Sequence, residues 1–262
     1  MRALNWHLVN SESVEAWPSH LLRARANAAA RELALAPWAL RRKSDGRFLA
    51  AVHRGRVHAL VPQLHREPGV DAALAALDRD AAGLDFDLPM DGLHERLAAL
   101  GLDTAYAEQT GLAEMAEPSR LEFAGFDRYR RPLWLLAPAA RAWRRMQSAA
   151  LGNGVRLQAI SGYRSHAYQL GIFERKLARG LSLDEVLAVN AAPGYSEHHG
   201  GCALDIGAPG EPAAEESFES SPAYGWLGAH AGGFGFSLSY PRGNLHGIVF
   251  EPWHWRWRAA QD

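Results

Sequence analysis

Apolar positions change their period along the chain, and the changes mark out elements. Around Leu21–Leu35 an Ala-, Leu- and Arg-rich run predicts a helix, ended by Pro37. Trp38–Leu40, Arg47–His53 and Arg56–Val61 then read as three short strands. Ser44-Asp45-Gly46 and Arg54-Gly55 supply the turns of a small β-meander. Val70–Leu77 and Leu93–Leu100 return to helical spacing, with Gly101 as a stop. A looser acidic stretch reaches Pro118, where a boundary is expected between 1–117 and 118–262. The basic run Arg128-Tyr-Arg-Arg131 inside Phe123–Leu136 reads as a solvated loop or strand edge. Pro138 opens a helix whose Ala139, Trp143, Met146 and Ala150 face a core, while Arg141, Arg144 and Arg145 face outward. Val155–Ile160 predicts a strand. Ser165 caps a helix running to about Arg179, and Leu183–Val189 predicts a short further helix. From Gly194 onward strand and turn signals dominate.

Composition narrows this picture. The chain has 262 residues, 48% of them apolar, enough for one large domain or two small ones. Its 28 basic and 29 acidic residues nearly cancel, so charge gives no argument for nucleic acid or for an anionic membrane surface. The one cysteine, Cys202, has no partner for an internal disulfide and reads as a small buried hydrophobe. No segment reaches the length of a membrane span. The start, Met1-Arg-Ala-Leu-Asn-Trp-His, lacks a basic opening followed by an apolar run, so the expected compartment is the cytoplasm, with the periplasm or envelope as the alternative.

The chemistry is concentrated near the C-terminus. A zinc peptidase needs three protein ligands, an open coordination position and a base. The helical His-Glu-x-x-His pattern is absent. Instead the chain carries Ser196-Glu-His198-His-Gly-Gly201-Cys-Ala203-Leu-Asp205 and, about fifty residues later, Glu251-Pro-Trp-His254. Gly200 and Gly201 allow a sharp turn between His198 and Asp205. Ala203 and Asp205 share one strand face, and the small residue leaves room for an ion. Glu251 and His254 would point to opposite sides of a regular strand. Pro252 predicts a bulge at Pro252–Trp253 that brings them together. His199 is left out of the ligand set because strand neighbours point apart. His230 and His246 are placed near the cleft with ordinary structural roles. Trp253, Trp255 and Trp257 read as core, and Gly232-Gly-Phe-Gly235 lacks the spacing of a phosphate loop.

These motifs, Ser-x-His-x-x-Gly-x-Ala-x-Asp followed by Glu251-Pro-Trp-His-Trp-Arg256, with Ser161-Gly-Tyr-Arg-Ser165 and Gln169 upstream, resemble the VanY-type D-alanyl-D-alanine carboxypeptidases, grouped with VanX and the L,D-carboxypeptidases. The resemblance covers roughly 120–262. It implies an α+β fold of the hedgehog/DD-peptidase kind: a central antiparallel sheet with flanking helices, here preceded by a small α+β extension. It implies Zn2+ held by His198, Asp205 and His254, with Glu251 as general base and acid. Arg164 would bind the substrate carboxylate or the oxyanion. Ser196 would hold the substrate terminus, with Gln169, Tyr163 and Ser161 as further substrate contacts. The implied substrate is a peptidoglycan-derived peptide ending in D-alanine, cut at a D,D or an L,D bond. Two alternatives stand beside it: an endolysin-like endopeptidase, and a zinc-bearing binding module without catalysis.

Overall fold

The computed structural model describes residues 6–23, 27–53, 55–102 and 105–259. Residues 1–5 of the chain start, residues 24–26 of the expected first helix and Arg54 of the expected Arg54-Gly55 turn lie outside that description.

The chain forms two compact units. The first comprises Met1–Pro89 and Glu117–Phe123. It is built on antiparallel strands β1 (His7–Asn10), β2 (Val14–Pro18), β3 (Trp38–Arg42), β4 (Phe48–His53), β5 (Arg56–Ala59) and the start of β6 (Arg120–Phe126). Their order is β5-β4-β3-β2-β1-β6. The meander expected from three strands is present, and β1 and β2 extend it. Helices α1 (Asn27–Leu35) and α2 (Val70–Ala81) accompany the sheet. Val70, Ala73 and Ala76 recur at helical spacing and pack against Val9, Val14, Leu40, Leu49 and Val52. A buried ion pair closes this unit. Lys43 Nζ lies 2.5 Å from Glu117 Oε2, which also accepts from Asn10 Nδ2 at 3.3 Å. Taking Lys43 and Glu117 out of water is costly unless they stay paired, so the pair ties the returning segment to β1 and β3.

The second unit comprises Met90–Ala116 and Ala124–Asp262. The chain passes between the units three times, at 89/90, 116/117 and 123/124, in place of the single boundary expected at 117/118. The physical reason lies in α3 (Asp91–Ala99) and α4 (Ala105–Thr110). Their Leu93, Leu97 and Tyr106 are buried with Leu170, Ala192, Tyr195, Tyr240 and Ile248, all far along the chain. The basic run forms the turn between β6 and β7 (Pro132–Leu135). Asp127 Oδ1 accepts from the backbone N–H of Tyr129 and Arg131 there, at 2.9 and 2.8 Å.

Helix α5 (Ala137–Gly152) leads to β8 (Gln158–Ser161), then to α6 (His166–Leu177) and α7 (Leu183–Leu187). Ser165 caps α6, its Oγ accepting from Tyr168 N at 3.1 Å. Strand β9 (Ala203–Gly207), helix α8 (Pro222–His230), β10 (Phe236–Leu238) and β11 (His254–Trp257) complete the unit. The sheet runs β10-β11-β9-β8, all antiparallel. Strand periodicity divides its two faces. Leu204, Ile206 and Trp255 point into a core with Ala139, Trp143 and Met146 of α5 and Leu227 of α8. Asp205 and His254, paired across β9 and β11, are directed to the other face. No helix among the described residues is long and apolar enough to cross a membrane.

Candidate metal centre

His198, Asp205 and His254 are all buried, and one ligand atom from each lies within 4.8 Å of the others. His198 Nε2 is 3.3 Å from Asp205 Oδ2, and His254 Nδ1 is 3.1 Å from Asp205 Oδ1. Two donors each about 2 Å from a tetrahedral ion stand roughly 3.3 Å apart, so the two histidine-to-carboxylate distances are of the size a zinc site needs. An N, O, N donor set is also among those zinc takes.

Each imidazole is held by its other nitrogen. His198 Nδ1 donates to the Gly162 carbonyl at 2.7 Å, which leaves Nε2 as the free lone pair. His254 does the reverse: its Nε2 lies 3.0 Å from Glu197 Oε2, and its Nδ1 is turned to Asp205 Oδ1 at 3.1 Å. Glu197 is itself buried, bonded to Arg256 Nη1 at 2.9 Å and Ser239 Oγ at 2.5 Å. Burial alone would push its carboxyl up, but His254, Ser239 and Arg256 bring it down to about 2. Asp205 is likewise held well below the usual carboxylate range, burial being outweighed by the two histidines. Burial pushes His198 down. His254 goes the other way, to about 10: burial opposes the charge, and hydrogen bonds to Asp205 and Glu197 overcome it.

Glu251 Oε2 lies 3.8 Å from His254 Nδ1. The segment before β11 is a turn and not the expected bulge within a longer strand. His254 N donates to the Glu251 carbonyl at 3.1 Å, and the ladder begins only at His254. Pro252 cannot continue a ladder, and a four-residue turn places residues i and i+3 together as a bulge would. The Glu251 carboxyl is raised to about 7, chiefly by burial, with Asp205 and Glu197 adding to the shift and His254 and Arg164 opposing it.

A cavity of about 320 Å³ opens on this group. Arg164, Gln169 and Ser196 line it together with His198, Asp205, Glu251 and His254. Arg164 Nη1 donates to Gln169 Oε1 at 3.0 Å, and Nη2 is 3.9 Å from Asp205 Oδ2. Ser161 and Tyr163 are not in the lining. Ser161 sits in β8 opposite Asp205, and the Tyr163 N–H is tied to Trp134 O. His199 takes no part in the ligand set. Its Nδ1 donates to Arg164 O at 2.6 Å and its Nε2 accepts from Gly194 N at 3.1 Å. Cys202 is also outside it, half-buried, with its thiol pushed up to about 11 by burial. His246 Nδ1 donates to Thr110 O. Of the three tryptophans, Trp255 is core, while Trp253 packs on the core and also lines the cavity.

The sequence pattern of the VanY family, D-alanyl-D-alanine carboxypeptidase, matches residues 133–260. Enterococcus gallinarum VanXYC, a bifunctional D-Ala-D-Ala dipeptidase and carboxypeptidase, is 30% identical over 153 residues, 56% of this chain and 77% of VanXYC. The chain belongs to the VanY family. Bacillus subtilis YodJ is 33% identical over 163 residues, 57% of each chain, so the match spans little more than half of that relative. Among solved structures, the LdcB LD-carboxypeptidase is 32% identical over 47% of this chain and 59% of its own, with a TM-score of 0.45.

Glu197 holds a proposed ligand in place, and the sequence alone did not mark it. It occupies the variable place in Ser-x-His, and a glutamate there reads as a solvated side chain.

Proposed function

We propose that the protein is a zinc carboxypeptidase that hydrolyses the last bond of peptidoglycan stem peptides ending in D-alanine. The observation that carries this reading is one buried constellation: three ligand groups whose donor atoms converge, a carboxylate with raised proton affinity beside them, and a guanidinium on the same cavity wall. A purely structural metal site needs neither Glu251 nor Arg164. The family to which the chain belongs supports the substrate class.

When bound, zinc supplies a Lewis acid for the scissile carbonyl and lowers the pKa of a water ligand to about 7. Glu251, whose burial favours the proton, is placed to act as general base and acid: it would take a proton from an attacking water and return it to the leaving amine. Arg164 offers a planar fork to the substrate carboxylate, and Gln169 fixes the fork's direction. Ser196 adds a hydroxyl to the lining.

Mass spectrometry of stem peptides ending in L-Lys-D-Ala and L-Lys-D-Ala-D-Ala, with and without a chelator, tests this. Loss of one terminal D-alanine, abolished by chelation and restored by zinc, is the expected result. Equal cleavage of a C-terminally amidated peptide would make the enzyme an endopeptidase instead.

A further inference from the structure

Helix α6 presents a second cation to the cavity. Gln169 and Lys176 both line it, seven residues apart, which is two turns on one helix face. Gln169 is held at both ends of its amide: its Oε1 accepts from Arg164 and its Nε2 donates to Ala191 O at 3.0 Å. Among the described residues no carboxylate pairs with Lys176. Seven residues of helix rise place its backbone about 10 Å beyond Gln169. Helical side chains lean toward the N-terminus, which is the direction of Gln169 and its partner Arg164.

Its surroundings do not favour a bare ammonium. Burial and the nearby Arg164 charge both lower the Lys176 pKa from its ordinary 10.5. A half-buried lysine usually finds a carboxylate or extends its ammonium to water. Here Arg164 is its charged neighbour, in a lining that also includes the half-exposed Val189 and Val249. Asn190 cannot supply an anion, and its Nδ2 is already bonded to Val186 O at 2.9 Å. The arrangement suits a carboxylate on a small apolar carbon, with two cations for the charge and valines for a methyl group.

We propose that Lys176 joins Arg164 on the C-terminal carboxylate of the leaving residue, and that this pair makes the enzyme demand a free C-terminus. The proposal rests on the carboxypeptidase reading and adds the residue that enforces it. Arg164 serves both the site near Asp205 and the substrate, while Lys176 serves the substrate alone.

Matched acetylated peptides ending in D-alanine or in D-alaninamide, cleaved by wild type, Lys176→Met and Lys176→Arg, provide the test. Loss of one charge-assisted contact should raise KM for the free acid about 10-fold or more in Lys176→Met, with kcat largely kept. The amide, already poor, should change little, so the acid-to-amide preference falls by the same factor. Lys176→Arg should restore most of it, and zinc affinity should match wild type in both variants. Inhibition by free D-alanine, a readout independent of turnover, should weaken in parallel. A Lys176→Met enzyme that folds, binds zinc and keeps the wild-type acid-to-amide ratio overturns the proposal while leaving the carboxypeptidase reading intact. A wild type that never distinguished acid from amide overturns both.

Discussion

His198 and His254 present opposite ring nitrogens to the same point, so each needs a different partner behind it. Gly162 supplies a carbonyl, whereas Glu197 supplies a charged acceptor that Arg256 and Ser239 hold in place. Such outer partners set tautomer and ligand basicity, and losing one typically costs 10–100-fold in metal affinity. Glu197→Ala should therefore weaken zinc binding by about that factor, read by competition with a chromogenic chelator. An unchanged affinity would show that His254 orients without it. Glu251 predicts the complement. Glu251→Ala should retain zinc by elemental analysis and lose about 10²–10⁴-fold in kcat, the usual worth of a positioned base. The three proposed ligands and Glu251 were legible as residue types whose spacing coordination constrains, whereas Arg164 was marked only by the resemblance of Ser161-Gly-Tyr-Arg-Ser165 to the family motif. Glu197 was not, since nothing in a lone glutamate reveals that a histidine fifty-seven positions away will sit on it. Arg256 was visible only as the end of a motif, and its bond to Glu197 gives it a purpose.

Period-two alternation makes β9 and β11 work as one device. Leu204 and Trp255 anchor the pair to α5, and the same register turns Asp205 and His254 to the opposite face. Gly162, just beyond β8, is the third part. A Cβ there would meet Leu133 Cδ1 at 2.7 Å and the Trp134 carbonyl at 3.0 Å, while its own carbonyl fixes His198. Gly162→Ala should cost about 1–3 kcal/mol of stability, the usual range for overpacking. It should also weaken zinc binding, because the displaced carbonyl is the one His198 needs. Urea unfolding of the metal-free protein and chelator competition separate the two effects, and a variant with normal zinc affinity would show that the backbone absorbs the methyl elsewhere. Helices with strong periodicity, α2, α3, α5 and α6, were readable with ends shifted by a few residues. Strands β1 and β2 were not. They are short and carry Glu15, a buried carboxylate whose partner, Arg41, lies on the neighbouring β3. Local pattern cannot show that such a residue belongs in a sheet.

The passage of Met90–Ala116 into the second unit was equally hidden, because the residues that draw it there are contributed from Leu170 to Ile248. Every proposed ligand, base and substrate contact lies in that unit, so the folding free energy and the metal are linked through one set of protons. In the metal-free protein His254 rises from 6.5 to about 10, and Glu251 from 4.5 to about 7. Both groups bind their proton more tightly folded than unfolded. Their contribution is full below the unfolded values and is lost as pH rises, for Glu251 through about 7 and for His254 through about 10. Glu197 and Asp205 act oppositely, stabilising above the ordinary carboxylate range and losing that contribution only in strong acid. The metal-free protein should therefore lose thermal stability between pH 6 and pH 9. Zinc must displace the His254 proton, so its apparent affinity should rise about tenfold per pH unit over the same interval, with one proton released per ion. Thermal melts in chelator and in saturating zinc, together with calorimetry in buffers of different ionisation enthalpy, measure both. If the zinc-induced rise in Tm is the same at pH 6 and pH 9, His254 does not carry the proton that its two carboxylate neighbours demand.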